Sequence, residues 1–456
     1  LTQNPDVLIL GGGSGGYACA LRAAQLGKTV TLIEADKVGG TCLHQGCIPT
    51  KALVHAASVA DTIAHAASIG IGATLGDIDL AAVHRYQRGV VDRLHQGLQG
   101  LLTGRKIDVV QGIGRYAGGT SVDVGDRRIT GSHLVLATGS QVRELPGFPI
   151  GARILTSEQA LTHPQLPRRA IVLGGGVIGV EFASVWASLG AEVTVIEALP
   201  RLIAGEDEWS SKHLARAFGK RGITVLTDTR VAAAHEDGAA VTVTLESGQT
   251  LLADLVLVAI GRAPRTADPG FAENGVMLDG QGFVRVDERL RTTVDNVYAV
   301  GDITPGPQLA HRGFQQGTFV AESIAGLEPV AVADVNIPRV VYSAPEVASV
   351  GLTESAARQC HPDIQTVVYD LAGNGKSQLL QTAGAIKLVR VTDGPIVGVH
   401  MYGERVGELI GEAQLIVNWG AFPAEVAGLV HAHPTQNEAL GEAAMALAGQ
   451  PLHAHR

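Results

Sequence analysis

The sequence predicts an α/β fold: two doubly wound, nucleotide-type units followed by a C-terminal α+β part. Three observations lead there. A short apolar strand running into a glycine loop and a helix opens the chain, the same succession returns near residue 170, and no such loop occurs beyond about residue 335. At ~150 residues per domain, 456 residues make about three domains with sizeable cores.

In chain order, residues 6–10 read as a strand, Gly11-Gly12-Gly13-Ser14-Gly15-Gly16 as a tight loop, 17–26 as an Ala-rich helix and 29–33 as a strand ending at Glu34. The counterpart is a strand at 170–173, Gly174-Gly175-Gly176-Val177-Ile178-Gly179, a helix to about Leu189, and a strand at 192–196 ending at Glu197. Glu34 follows Gly11 by the same 23 residues that separate Glu197 from Gly174. Gly11 and Gly174 permit the sharp turn, Gly13 and Gly176 let a pyrophosphate approach the backbone, and Gly16 and Gly179 let helix and strand pack closely. An acid after the second strand suits a ribose hydroxyl. Two Rossmann-like dinucleotide-binding domains are therefore expected; two ordinary turns in a parallel sheet are the plainer alternative.

Further strands end in small residues: 134–136 before Ala137-Thr138-Gly139-Ser140, 255–259 before Gly261-Arg262, and 297–300 before Gly301-Asp302. These are expected to be crossings between nucleotide domains. Pro146, Pro149, Pro164 and Pro167 set a boundary near 150. The expected division is 1–148, 149–266, 267–334 and 335–456. The last stretch carries alternating runs at 385–391 and 396–401 and an Ala-rich helical tail, hence its α+β assignment.

Composition narrows the function. Hydrophobic residues at 46% and charged ones at 17% oppose disorder, and 35 basic against 44 acidic residues, a net charge of −9, oppose a general nucleic-acid binder. No run approaches the ~18 consecutive apolar residues of a membrane span, so no membrane partner is expected. The apolar stretch at 7–10 has no basic segment before it and runs into glycines, which is not the pattern of a secretory signal. Four cysteines, at 19, 42, 47 and 360, are too few for a secreted disulfide framework, so a reducing, cytoplasmic location is expected.

Two of those cysteines carry chemistry. In Gly40-Thr41-Cys42-Leu43-His44-Gln45-Gly46-Cys47-Ile48-Pro49-Thr50-Lys51 the thiols can close a small ring, and Pro49 suits a first helical turn. Cys47 then sits at a helix N-terminus, which favours thiolate, with the cation of Lys51 one turn on. A structural zinc site lacks two further ligands, a static disulfide is disfavoured in a reducing compartment, and inert buried thiols remain as the bland reading. No metal is expected. His44, between the thiols, reads as a loop side chain and not a base. Near the C-terminus, His431-Ala432-His433-Pro434-Thr435-Gln436-Asn437-Glu438 places imidazoles beside a carboxylate, as acid–base work at sulfur requires; Thr435-x-x-Glu438 equally reads as a helix capping box.

These residues resemble the pyridine-nucleotide disulfide oxidoreductases, specifically their dihydrolipoyl-oxidising members. Residues 39–51 match a GGTCLNVGCIPSK-like segment with His44, Gln45 and Thr50 as departures. Ala137-Thr138-Gly139, Gly261-Arg262, Val300-Gly301-Asp302, Leu309-Ala310-His311, Ala344-Pro345-Glu346, 350–354 and 431–435 follow in family order. The resemblance implies FAD on the first fingerprint (Gly11, Gly13, Gly16), with Glu34 on its adenosine ribose. Gly40 and Thr41, Lys51 beside the flavin, Gly114 near the adenine, Thr138, Gly139, Asp302 on the ribityl chain and Ala310 complete that set. It implies NAD on Gly174, Gly176, Gly179, Glu197 and Gly261, with Glu181 pairing with Lys51 next to the nicotinamide. Glu197 accepts from a free ribose 2′-OH and repels a 2′-phosphate, which favours NAD over NADP, with Arg201 nearby.

It further implies that Cys47 faces the flavin, that Cys42 exchanges with substrate, and that His433 with Glu438 serves the cysteines of a second subunit. The C-terminal part is then a dimerisation domain. The implied partners are a second copy of the chain and a lipoyl-bearing protein of a 2-oxoacid dehydrogenase or glycine-cleavage complex, and the implied activity is dihydrolipoyl oxidation with NAD reduction. Asn437 stands where Ser is common. The rival readings are a related glutathione or metal-ion reductase, and a flavin-bearing docking component with secondary catalysis.

Overall fold

The computed structural model describes residues 4–267 and 269–453. The chain divides into two units. One is the chain up to Leu53 with Asp79–Arg143 and Arg262–Asp334; the other is Val54–Ile78, Glu144–Gly261 and the chain from Val335.

The first unit is built on a five-stranded, all-parallel sheet in the order Val297–Ala299, His133–Leu136, Val7–Leu10, Val30–Glu34, Asp108–Gln111. Successive residues of Val7–Leu10 feed two different cores. Val7 and Ile9 pack with Cys19, Ala23 and Phe319 under the helices, whereas Leu8 and Leu10 pack with Tyr116 and Val122 of an antiparallel three-stranded sheet. Both faces are covered, which is why the strand is apolar at every position. The helix after it, Ser14–Gln25, starts three residues ahead of the sequence expectation and takes Gly15 and Gly16 into its first turn. A Cβ on Gly16 would strike the carbonyl oxygen of Gly11, so only glycine lets the helix begin that close to the loop.

The second unit repeats the plan: Thr224–Leu226, Glu192–Ile196, Arg169–Leu173, Leu255–Val258 and Ile154–Thr156, all parallel. It also contains an antiparallel sheet in the order Arg339–Val341, Glu346–Gly351, Ile396–Gly403, Ala385–Val391, Ile364–Asp370. Of the three expected crossings, the one after Val300 is not one: the chain stays in the first unit to Asp334.

Two sequence patterns take their meaning from the structure. The runs at 385–391 and 396–401 lie on the expected strands, but their alternation does not separate a wet face from a dry one. Ile386 and Leu388 pack with Val399 and Met401, while Lys387 and His400, cross-strand partners on the other face, are buried as well. Lys387 is held by Asp207 and Glu354, each at 2.8 Å. The second concerns membranes: the helical stretch Gly40–Ile69 is long and apolar enough, by length and composition, to cross one. A search for uninterrupted apolar residues misses it because alanines alternate with Cys, His, Thr and Ser. The stretch breaks at Gly46 between helices Gly40–Gln45 and Cys47–His65, and its Asp61 pairs with Arg221 at 3.2 Å and takes the Ser188 hydroxyl at 2.7 Å. At Asp61 the helix therefore packs on protein.

Candidate active site and dinucleotide cradles

Local backbone geometry makes the first cradle. Gly11 adopts φ +106°, and a Cβ there would strike the Ala137 carbonyl. Gly13 is the N-cap of Ser14–Gln25, and a Cβ on it would meet nothing within 4 Å, so the helix amides face open space. That combination suits an anion at a helix N-terminus. Glu34 closes it: one carboxylate oxygen accepts the Gly12 amide at 2.6 Å and the other the Asp36 amide at 2.8 Å. Gly40, at φ +58°, approaches so closely that a Cβ would lie 2.7 Å from Gly13 Cα.

Asp302 lies in the same unit, accepting the Ser140 hydroxyl at 2.6 Å, while Arg262 donates to that hydroxyl at 2.8 Å. Gly139 has φ +75°, Thr138 donates to the Arg265 carbonyl at 2.7 Å, and Ala310 opens the helix Ala310–Ile324. Gly114 has a packing reason as well: a Cβ would press on Leu10 and Ile33.

The thiols sit beside this cradle. Cys47 is the first residue of helix Cys47–His65, whose start is tied by Thr50 donating to the Gly46 carbonyl at 2.6 Å. Both cysteines are half-buried free thiols. The Cys42 thiol is pushed well up by its hydrogen bond to Cys47, then by burial and the charge at Cys47; Lys51 pulls the other way. Tyr17, pushed up to about 12 by burial and by both cysteines, stands next to them with its ring 5.5 Å from Phe314. Neither aromatic had a motif to announce it, although Tyr17 directly follows the fingerprint.

The second cradle copies the first. Gly174 again has φ +106°, Gly176 is the N-cap of Val177–Ser188 with open space where its Cβ would be, and a Cβ on Gly179 would strike the Gly174 carbonyl. Glu197 accepts the Gly175 amide at 2.6 Å and the Leu199 amide at 2.7 Å. Arg201 is turned onto the carbonyls of Ala204 and Glu206. Gly261 has φ +105°, and Glu181, 2% exposed, accepts the Tyr342 amide at 3.0 Å.

At the C-terminal motif, His433 Nδ1 lies 2.8 Å from Glu438 Oε1 with the imidazole 77% exposed. Glu438 Oε2 accepts the Thr435 amide at 2.7 Å. The Thr435 hydroxyl turns instead to the Ala432 carbonyl, so only half of the capping box forms. His431 belongs to a different pair, with Glu412 at 2.9 Å. Among the described residues no group of three or more His, Cys, Asp or Glu is arranged to hold a metal ion.

The family model for pyridine nucleotide-disulphide oxidoreductases matches residues 5–317, and its dimerisation domain matches 337–444. The chain belongs to this family. It is 38% identical to a dihydrolipoyl dehydrogenase of Geobacillus stearothermophilus over 98% of this chain and 97% of the relative. It is 39% identical to one of Pseudomonas aeruginosa over 98% of each. Among solved structures, LpdA from Mycobacterium tuberculosis superposes with a TM-score of 0.91 at 26% identity, covering 98% of this chain and all of the other. The HOCl-induced flavoprotein disulfide reductase RclA of Escherichia coli gives 0.86 at 28%, covering 96% and 99%. The chain is thus an FAD-dependent, NAD-linked oxidoreductase with the family's two dinucleotide folds and a dimerisation domain, which accords with a homodimer.

Both cradles fit their groups. Each offers a helix N-terminus to a pyrophosphate and an acid beside the loop for a ribose, with space where a Cβ on Gly13 or Gly176 would stand.

Proposed function

We propose that the chain is a dihydrolipoyl dehydrogenase: it oxidises protein-bound dihydrolipoamide to lipoamide and reduces NAD. The observation that carries this reading is the Cys42–Cys47 pair, hydrogen-bonded at a helix start beside a dinucleotide cradle. In the oxidised enzyme a substrate thiolate attacks Cys42 Sγ, the Cys42–Cys47 bond breaks, and its electron pair stays on Cys47, where the helix N-terminus and Lys51 stabilise the charge. The second substrate thiol then displaces Cys42, closing the lipoamide ring. His433, held by Glu438 and supplied by a second copy of the chain, takes the substrate proton. FAD, when bound, supplies the two-electron chemistry that carries the reducing equivalents from the thiols to NAD.

Gly11, Gly13, Gly16, Glu34, Gly40, Thr41, Lys51, Gly114, Thr138, Gly139, Asp302 and Ala310 are assigned to FAD. Gly174, Gly176, Gly179, Glu181, Glu197 and Gly261 are assigned to NAD; the engagement of Arg201 with loop carbonyls supports NAD over NADP. We assign as partner a lipoyl-bearing protein of a 2-oxoacid dehydrogenase or glycine-cleavage complex, and place the enzyme in the cytoplasm on its sparse cysteines. The likeness to RclA favours one second reading, a reductase that spends NADH on another disulfide or a metal ion. The test is the visible spectrum of the purified flavoprotein titrated with dihydrolipoamide, NADH, NADPH and glutathione. A long-wavelength thiolate–flavin band with dihydrolipoamide, followed by turnover with NAD, is expected. A band with NADH but none with dihydrolipoamide would replace the first reading by the second.

A further inference from the structure

His44 lies between the two thiols, departs from the family pattern and has no part in the chemistry above. Its Nε2 is 2.9 Å from the Val38 carbonyl oxygen, and His95 Nδ1 reaches the same oxygen at 3.1 Å. The two rings meet edge to face with centroids 4.9 Å apart. A carbonyl only accepts, so both contacting nitrogens carry protons, and its two lone pairs serve two donors. The tautomers follow: His44 is protonated at Nε2 and His95 at Nδ1.

The acceptor occupies a telling position. Val38, 6% exposed, precedes Gly39 at φ +109° and Gly40 at φ +58°, the two left-handed residues that turn the chain into helix Gly40–Gln45. That helix has six residues and carries Cys42; at such a length it has little stability of its own. On its N-terminal side the turn is tied to the fingerprint by the Gly39 amide donating to the Gly12 carbonyl at 2.8 Å. His44, two residues after Cys42, reaches back to the same turn. His95 attaches the turn to Leu80–Gly104, a helix of 25 residues whose Leu98 and Leu102 are set in the core.

We infer that His44 and His95 are positioning residues for Cys42. By clamping one carbonyl they hold residues 38–45 so that the outer sulfur stays within reach of Cys47, which raises its effective concentration and favours the disulfide over the dithiol. The inference rests on the reading of Cys42 and Cys47 as the redox pair.

The test equilibrates the flavin-loaded protein with graded ratios of reduced to oxidised dithiothreitol. In that exchange the Cys42–Cys47 bond breaks, each sulfur gains one electron and one proton, and dithiothreitol loses both pairs as it closes its own disulfide. Acid quenching, alkylation and mass spectrometry count the fraction of disulfide. His44→Phe keeps the ring and loses the donor, and His95→Phe does the same from the other helix. Each is expected to shift the equilibrium about three- to tenfold toward the dithiol, roughly 15–30 mV at 29.6 mV per tenfold for a two-electron couple. His44→Gln, which retains a donor, should stay within about twofold of the parent. Folded Phe variants with the parent equilibrium, a Gln variant as displaced as His44→Phe, or loss of the fold in both Phe variants would each overturn the clamp. A parent protein that never forms the Cys42–Cys47 disulfide would instead sink the reading of the site.

Discussion

Glu438 serves His433 with one oxygen and the Thr435 amide with the other, at 2.8 and 2.7 Å. One carboxylate thus holds both the imidazole and the turn that precedes the last helix, with the His433 ring exposed, although the full capping box does not form. Burial pushes Glu438 up, but the Thr435 amide and His433 outweigh it and leave the carboxyl below its ordinary value. His433→Gln should therefore cut dihydrolipoamide:NAD turnover by about 10² to 10⁴ with flavin content unchanged. Steady-state assay at saturating NAD checks this; a parental rate would leave Glu438 only its bond to the Thr435 amide.

Cys47→Ser should abolish dithiol-dependent NAD reduction while the protein still purifies yellow, because the cradle glycines and Glu34 are untouched. Cys42→Ser should stop the exchange step too, since no outer sulfur remains for the substrate to attack. Turnover surviving in either variant contradicts the sulfur assignments.

Gly174→Ala and Gly176→Ala separate turn geometry from ligand approach. At Gly174 the backbone is left-handed and a Cβ would strike the Ala259 carbonyl, so alanine should destabilise the unit outright. At Gly176 a Cβ meets nothing, so that variant should melt like the parent and keep its flavin, yet bind NADH at least about tenfold more weakly. Melting curves and NADH titrations of the two variants give the answer; equal NADH affinity in Gly176→Ala would move the pyrophosphate elsewhere.

Lys387 is buried between Asp207 and Glu354. Replacing it by methionine strands a buried carboxylate and should cost about 3–5 kcal/mol. Adding Asp207→Asn removes the stranded charge and should recover much of the loss, as urea unfolding would show.

Acid should weaken the fold in two windows. His400 is fully buried and held below its ordinary 6.5, so the unfolded chain binds a proton that the folded one refuses. Its contribution is whole above about pH 6.5 and declines as pH falls from there. Asp207 is held below 3.8: burial alone would raise it, but His400, Lys387 and the Glu354 amide outweigh that. Its contribution is present above that value and is lost as pH drops through the lower folded one. His400→Gln should flatten the upper window in urea unfolding measured between pH 7 and 5; an unaltered slope there would assign the window to other groups.

The glycine loops, the two acids and the thiol pair are legible in the sequence because contiguous residues make them: a positive φ, a missing Cβ and a helix start are decided within a few positions. Where the sequence misleads, the cause is distant in the chain. The alternating strands are buried on both faces, and the polar members face Asp207, Glu354 and the Leu352 carbonyl, none of which the strand pattern can reveal. The span-like stretch 40–69 is broken by one glycine and ion-paired through Asp61, which a hydropathy profile averages away.

The sequence alone determined the two glycine-loop cradles, the closely spaced thiol pair and the family to which they belong, since each is written in a short run of neighbouring residues. Only the tertiary structure decided that Glu438 holds both His433 and Thr435, that Ser140 and Arg262 stand behind Asp302, and that His44 and His95 share the Val38 carbonyl. Ser140 lies far along the chain from Asp302 and Arg262, and Val38 from His95, and directional hydrogen bonds between such partners depend on where the backbone brings each donor and acceptor, which no local pattern encodes.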